Sequence, residues 1–535
     1  MQGSGFLPDN QPCVSIKKEY KMNPPDHEIT AETDIEVEKL EPREALKEVI
    51  IYNPMKNPER TNATMGRVAE VIGIIIEDDE KAKFLDDKCK SKIKGHELDE
   101  PLTADEGTAI ADILATDLNR DQVNRAVRLF YESEISTEEV VAMHKNYKIP
   151  VSRLEDDLLP VRGKGARIWD SKGKSYIDLD SNYSATNLGN ANPEIARGLY
   201  NQANLLISQK EDRIQVARTR FLREIIGMMP GDLTHFYWQN SGGEAVDKSI
   251  KIAKAYTGHT GVVAFENGFH GRTHGAVAVT YNKMYREPFG LDKESWVHFA
   301  PFGNLDAVEK FLSSGDAKSV ILELIQGEEA GINPATREFA HGLRELCDKY
   351  DALMIADEVQ TGFGRVAEAD DQWFASHVYG ITPDIITIGK SFGGGYPVTA
   401  VVTKKHISEK MHPGMDGSTF GGNPMAMVAA LIATRQMRTL GLPGLAVKRS
   451  KEFASGLKNI KSPMLKGFRT AGLMIGIDFD SRENMIKVQE GMKKYGAHSS
   501  LSTGPTMRWM PPLVIESDEV QEVLGAFQKS LNDAQ

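Results

Sequence analysis

The sequence predicts an α/β protein in which a mainly parallel sheet is wrapped by helices. A smaller α+β domain follows on the C-terminal side, and an additional helical domain precedes on the N-terminal side. Three observations predict this. Between about 210 and 405, short apolar runs at 261–265, 319–325, 352–356 and 384–388 alternate with helical stretches. Those runs lack polar alternation, so they are buried on both faces, as strands of a covered parallel sheet are. Finally, 535 residues exceed one ordinary core, which implies two to four domains.

Taken in order, residues 1–44 are polar and acidic and contain Pro8, Pro12, Pro24, Pro25 and Pro42. They read as a disordered or extended tail. Residues 45–150 read as a helical module. Met65 to Ile76 is an apolar run suited to a buried helix, and Val123, Val127, Leu129 and Phe130 line one helical face. Thr103-Ala-Asp-Glu106 and Ser136-Thr-Glu-Glu139 match the capping box that starts helices. Residues 151–210 form the first part of a small domain and lead into the large one, with a hairpin turning at Ser171-Lys-Gly173. Residues 211–435 make the large domain, and 436–535 complete the small α+β domain with a strand near 472–479 and a terminal helix.

Composition excludes several functions. Hydrophobic content of 40% and charged content of 26% are those of a soluble globular chain. No apolar run approaches the roughly 18 residues that cross a bilayer, and the N-terminus has no secretory pattern. Cys13, Cys89 and Cys347 are few and far apart, which implies neither a disulfide framework nor a metal site and fits a reducing, cytoplasmic setting. Residues 1–150 carry 20 Lys and Arg against 31 Asp and Glu, which accounts for −11 of the −12 net charge. An acidic part of this kind argues against nucleic-acid binding. It is either a solvated face or a docking surface for a protein partner.

The chemistry concentrates at strand ends. Ile385-Ile-Thr-Ile-Gly-Lys390-Ser-Phe-Gly-Gly-Gly395 is an apolar strand that ends in a lysine and glycines. Leu353-Met-Ile-Ala-Asp357-Glu-Val-Gln360 is a second strand, ending in an aspartate. Ligands of α/β sheets sit beyond the carboxyl ends of strands. A lysine amine and a carboxylate there are the two groups that pyridoxal phosphate takes from a protein, one for the covalent link and one for the ring nitrogen. Alone, each is ordinary: a surface lysine, or a helix cap. Three further segments add weight. Gln239-Asn-Ser241-Gly242-Gly243-Glu is a small-residue turn opening a helix, where backbone N–H groups and the helix dipole suit a phosphate. Gly268-Phe269-His270-Gly271-Arg272 offers a ring to stack and a guanidinium for a carboxylate. Asp416-Gly-Ser418-Thr419-Phe-Gly-Gly-Asn is a second loop of glycines and hydroxyls.

These motifs, in this order, resemble those of class III pyridoxal-phosphate-dependent aminotransferases of fold type I, closest to the ornithine aminotransferase branch. The resemblance spans about 160–530. It implies that Lys390 forms the Schiff base and Asp357 pairs with the ring nitrogen. It implies that Gln360 lies by the ring hydroxyl, that Phe269 stacks on the ring with His270 beside it, and that Ser241, Gly242 and Gly243 hold the phosphate. Ser418 and Thr419 belong to the cofactor site by the same resemblance, Thr419 reaching it from the neighbouring subunit of a homodimer with shared active sites. For substrate it implies Tyr183 in the pocket, Arg272 on the α-carboxylate, and Glu328 with Arg508 as a gating pair. The implied reaction moves an amino group from an ω-amino acid or amine to 2-oxoglutarate by a ping-pong route. An isomerase, racemase or aminomutase on the same scaffold is the alternative. Two departures stand out: Gly189-Asn190 replaces a Gly-His pair, and Asp156 stands where the ornithine branch has a tyrosine that recognises ornithine. Asp156 is then either an attractor for a cationic amine or a surface acid at a domain junction. The helical module has no counterpart in the resemblance, and it either covers the entrance, extends the dimer interface or docks a partner.

Overall fold

The computed structural model describes residues 41–51, 62–76, 78–93, 100–131, 137–152, 154, 158–171, 173–502 and 504–534. Of the tail expected at 1–44, residues 1–40 lie outside the described residues, as do Asp156 and Ser136, whereas 42–44 are already helical, in Pro42–Ile50, because Leu46, Val49 and Ile50 of that helix pack into the core of the helical unit. The chain divides into two compact units at 153/154.

The first unit is helical. Its helices are Pro42–Ile50, Met65–Ile75, Asp79–Lys90, Ala104–Asp117, Arg120–Tyr131 and Thr137–Tyr147. Thr103 starts the fourth with a complete capping box: its hydroxyl accepts from Glu106 N–H, and the Glu106 carboxylate accepts from Thr103 N–H. Leu46, Val68, Ile72, Ile110, Leu114, Val127 and Phe130 close one apolar core. The run at 65–75 is a buried helix because Met65, Val68, Val71, Ile72 and Ile75 fall on one face.

The second unit is built on a seven-stranded sheet. In chain order its strands are β1 (His235–Gln239), β2 (Val262–Phe265), β3 (Val297–Ala300), β4 (Ser319–Leu322), β5 (Leu353–Asp357), β6 (Ile385–Ile388) and β7 (Thr399–Thr403). The spatial order is β1-β7-β6-β5-β4-β2-β3. The β3-β2-β4-β5-β6 ladder is parallel, and β7 runs antiparallel to both β6 and β1. Every residue of β2, β4, β5, β6 and β7 is buried. Covered on both faces, these strands need no polar alternation. The 319–325 run is not one strand. It leaves the sheet after Leu322, and Ile325–Gln326 pairs separately with Asn333–Pro334.

The smaller sheets flank this one. Strands Arg167–Asp170 and Ser175–Asp178 pair antiparallel as the expected hairpin. Leu465–Ala471, Met474–Phe479 and Thr506–Trp509 make an antiparallel sheet against the helices Arg482–Lys494 and Ser517–Ala534. Among the described residues no helix is long and apolar enough to cross a membrane.

Leu114 is fully buried in the core of the first unit. Leu114→Ala is expected to cost about 2–5 kcal/mol, read as a lower urea midpoint of the helical unit.

Candidate active site

Two neighbouring strands set the site. β5 pairs with β6 so that Asp357 lies opposite Thr387, three residues before Lys390. The Thr387 hydroxyl donates to Asp357 Oδ1 at 2.9 Å, and Val359 N–H donates to the same oxygen at 3.2 Å. Asp357 Oδ2 accepts from His270 Nδ1 at 2.8 Å. Three donors therefore fix this carboxylate in a site where it is 6% exposed. Burial opposes protonation of His270, but the hydrogen bond to Asp357 and the charges of Asp357 and Glu323 outweigh it, so the imidazole is raised above its usual value.

Lys390 opens a 3-10 turn just past β6, with φ at +50°. It lines a cavity of about 390 Å³ together with Asp357, Gln360, Phe269, His270 and Glu323. Burial lowers its amine to about 8. Glu328, Asp357 and Glu323 oppose that shift and Arg508 adds to it; burial is the largest influence. A neutral amine is the nucleophilic form, so this lysine is primed to attack a carbonyl carbon.

Ser241 caps the 16-residue helix Gly242–Thr257 and shares a capping box with Glu244. The first N–H groups of a helix lack partners within it, and those of Gly242 and Gly243 lie at the cavity wall. A Cβ on Gly243 would sit 2.9 Å from Thr273 Oγ1, and one on Gly271 would sit 2.7 Å from Gly243 Cα. Only glycines let these turns approach so closely. A dry amine, a fixed carboxylate, an aromatic wall and an amide cradle together fit pyridoxal phosphate.

On the opposite wall Phe269 packs edge-on against Tyr285, and the Arg272 guanidinium lies 3.7 Å over the Tyr285 ring. Arg508 is fully buried and donates to Glu328 Oε2 at 2.5 Å, to Gly327 O at 3.1 Å and to Leu501 O at 3.1 Å. Glu328 is a quarter exposed and lines the cavity.

The segment Ser181–Ser184 is a left-handed turn, with φ of 45°, 51°, 55° and 74° at four successive non-glycine residues. L-residues pay roughly 1–2 kcal/mol each for this conformation. Tertiary hydrogen bonds hold it: Ser181 Oγ donates to Met510 O at 2.5 Å, Gln360 Nε2 to Tyr183 O at 3.3 Å and Ser391 Oγ to Ser184 O at 2.6 Å. The turn thereby touches the residue that follows Lys390.

The structure thus gathers Ser241, Gly242, Gly243, Phe269, His270, Arg272, Glu328, Asp357, Gln360 and Lys390 around one cavity. Four expected residues do not line it. Arg508 sits behind Glu328. Tyr183 is 47% exposed, with its ring 5.9 Å from the Arg508 guanidinium, and Asn182 and Ala185 of the same segment line the wall instead. Ser418 and Thr419 lie on a loop tied back to helix Gly242–Thr257, because Asp416 pairs with Lys248 and, at 2.7 Å, with Lys251. The Ser418 hydroxyl accepts from Gly421 N–H at 2.9 Å. Asn190 is also accounted for: it donates to Asp178 Oδ2 at 2.9 Å. Sequence reasoning assigned no role to Glu323 or Tyr285. Glu323 was hidden inside the apolar run 319–325, and it stands at a strand end only because the sheet strand stops at Leu322. Tyr285 carried none, since only folding brings it under Arg272.

Two outcomes follow from this geometry. The rate of pyridoxal phosphate capture by the apoprotein is expected to rise with pH and level off above about 8, since the lowered amine is half neutral there rather than near its usual value of about 10.4. Stopped-flow absorbance measures it, and a flat profile between pH 7 and 9 contradicts it. Ser184→Gly is expected to raise stability by roughly 1 kcal/mol in urea unfolding, because glycine tolerates positive φ.

Comparison with known proteins agrees with the fold. A family model described as aminotransferase class-III matches residues 151–531. The chain is 34% identical over 396 residues to a [LysW]-aminoadipate semialdehyde transaminase of Deinococcus radiodurans, covering 74% of this chain and 90% of that protein. It is 38% identical over 367 residues to an acetylornithine aminotransferase of Archaeoglobus fulgidus, covering 68% and 92%. The solved ornithine aminotransferase of Toxoplasma gondii superposes with a TM-score of 0.70 at 26% identity, over 75% of this chain and 95% of the other. With a buried lysine and carboxylate at adjacent strand ends, an amide cradle above them, and the family's sequence pattern across 151–531, this chain belongs to the class III aminotransferases, pyridoxal-phosphate-dependent enzymes of fold type I.

Proposed function

We propose that this enzyme moves the terminal amino group of an ω-amino acid or diamine to 2-oxoglutarate in two half-reactions that share one site. When bound, pyridoxal phosphate supplies the electrophilic carbon and the electron sink. Lys390 would hold it, Asp357 would keep its ring nitrogen protonated, and Phe269 and Gln360 would lie against its ring. The Ser241–Gly243 turn would take the phosphate. Lys390 holds and moves the proton at the reacting carbon, and burial keeps part of its amine neutral near pH 8, as a base requires.

The Arg508–Glu328 pair carries the two-substrate reading. Arg508 is wholly buried and held by two backbone carbonyls, whereas Glu328 is a quarter exposed, so the acid is the partner free to swing. With Glu328 in contact the wall is neutral and admits a terminal amine. With Glu328 turned away, Arg508 offers its guanidinium to a carboxylate of 2-oxoglutarate or glutamate. Relatives named for acetylornithine and [LysW]-aminoadipate semialdehyde support a donor that reacts at a chain end. Arg272 then meets the donor's distal carboxylate.

The same reading makes the enzyme a homodimer, with Thr419 and Ser418 serving the neighbouring subunit. Exposed Phe420, Met415, Leu205 and Ile214 support such an interface, since apolar side chains left this open favour a partner surface.

A panel of ornithine, acetylornithine, lysine, 4-aminobutyrate and diamines, each with 2-oxoglutarate and assayed for glutamate, tests the proposal. Glutamate release with terminal-amine donors is expected. Donor isomerised or racemised without glutamate would point instead to an isomerase. Lys390→Ala is expected to abolish turnover. Arg272→Ala is expected to raise KM for carboxylated donors about tenfold, in line with roughly 1.5–3 kcal/mol for a charge-assisted contact, with kcat little changed.

A further inference from the structure

Glu323 is a buried acid for which the reaction outlined above has no use. It follows β4 directly, lines the cavity and is 7% exposed. Its two oxygens are spent on two different walls. Oε1 accepts from Phe269 N–H at 2.8 Å, and Oε2 accepts from Gly327 N–H at 3.2 Å. Phe269 stands on the turn after β2. Gly327 precedes Glu328, and its carbonyl accepts from Arg508. Gly327 runs close against the cavity residue Gln360, since a Cβ there would lie 1.8 Å from Gln360 Oε1. One carboxylate thus spans the gap between the aromatic wall and the gating loop.

We propose that Glu323 is a positioning residue that fixes the spacing between Phe269 and the Glu328–Arg508 pair. This rests on the reading of that pair as the acceptor gate. The strut takes the form of an acid because two N–H donors converge on it, and a carboxylate accepts both with no donor of its own. An amide in its place accepts one and turns an N–H toward the other, leaving a buried clash. Burial pushes the Glu323 carboxyl up to about 7, with Asp357 adding to the rise and His270 and the two N–H donors opposing it.

The loop at 326 provides an internal control. Gln326 Nε2 donates to Glu266 O at 2.7 Å and its Oε1 accepts from Asn333 Nδ2 at 3.1 Å, so its side chain ties the same two chain segments with no hydrogen bond to Phe269 or Gly327. A residue that only supports the fold behaves as Gln326 does; a residue that sets the site does not.

The test uses the full-length holoenzyme as wild type, Glu323→Gln, Glu323→Asp and Gln326→Ala. Pyridoxal phosphate Kd is measured by titration of the apoprotein, and KM and kcat are measured for 2-oxoglutarate. For Glu323→Gln, Kd and acceptor KM are each expected to rise about tenfold while kcat falls less than threefold. Glu323→Asp is expected to restore part of both, and Gln326→Ala to lower the melting temperature with Kd and KM unmoved. Unchanged Kd and KM in Glu323→Gln overturn the proposal, as does an equal loss in Gln326→Ala. If wild type makes no glutamate, the reading of the gate has failed. In that case Kd still decides whether Glu323 positions the Phe269 wall.

Discussion

The β5–β6 register is the constraint on which the site depends. Pairing Asp357 with Thr387 puts a carboxylate and a lysine at the same edge of a sheet whose two strands are buried along their whole length. A slip of one residue would turn every side chain of the strand to the opposite face. The all-apolar interiors of these strands hold the register through burial on both faces, and the Thr387–Asp357 hydrogen bond marks it at the edge. The glycine turns, the aromatic wall and the loop that carries Glu328 are arranged around this fixed pair.

Charge balance follows from that placement. Lys390, His270 and Arg508 face Asp357, Glu323 and Glu328 with little solvent between them. Burial wins at Lys390 because its acidic neighbours are partly cancelled by Arg508. At partly screened sites a pair 4 Å apart interacts by about 4 kcal/mol, so losing the Glu328 contact leaves Arg508 with a strong demand for another anion. In the proposed reading, a buried cation with a movable partner would act as a switch in which only one side chain need rotate.

The backbone contributes strain as well as position. The left-handed turn at Ser181–Ser184 and the positive φ of Lys390 lie against each other through Ser391. Such conformations persist only where surrounding contacts over-determine them. Hydrogen bonds from Gln360, Ser181 and Ser391 do so here, and they tie the turn to three other chain segments, at 360, 391 and 510.

Much was legible in the chain itself. Apolar runs without polar alternation specify buried strands, and a lysine or aspartate at such a run's end specifies a position at the sheet edge. The Thr103 capping box and the Gly243 turn were equally readable, because each is a local pattern whose partners lie within a few residues. Other features were not. The break after Leu322, the return of Ser418 and Thr419 to their own helix through Asp416, and the left-handed path through Tyr183 all depend on atoms far along the chain. Glu323 shows the difference best. Its burial in an apolar run was readable from local sequence, but its place at a strand end was not. Its role spanning two walls was decided only when folding brought Phe269 and Gly327, 54 residues before it and four after it, to within hydrogen-bond reach of one carboxylate. Sequence periodicity encodes which face is dry, but only packing decides which donors meet there.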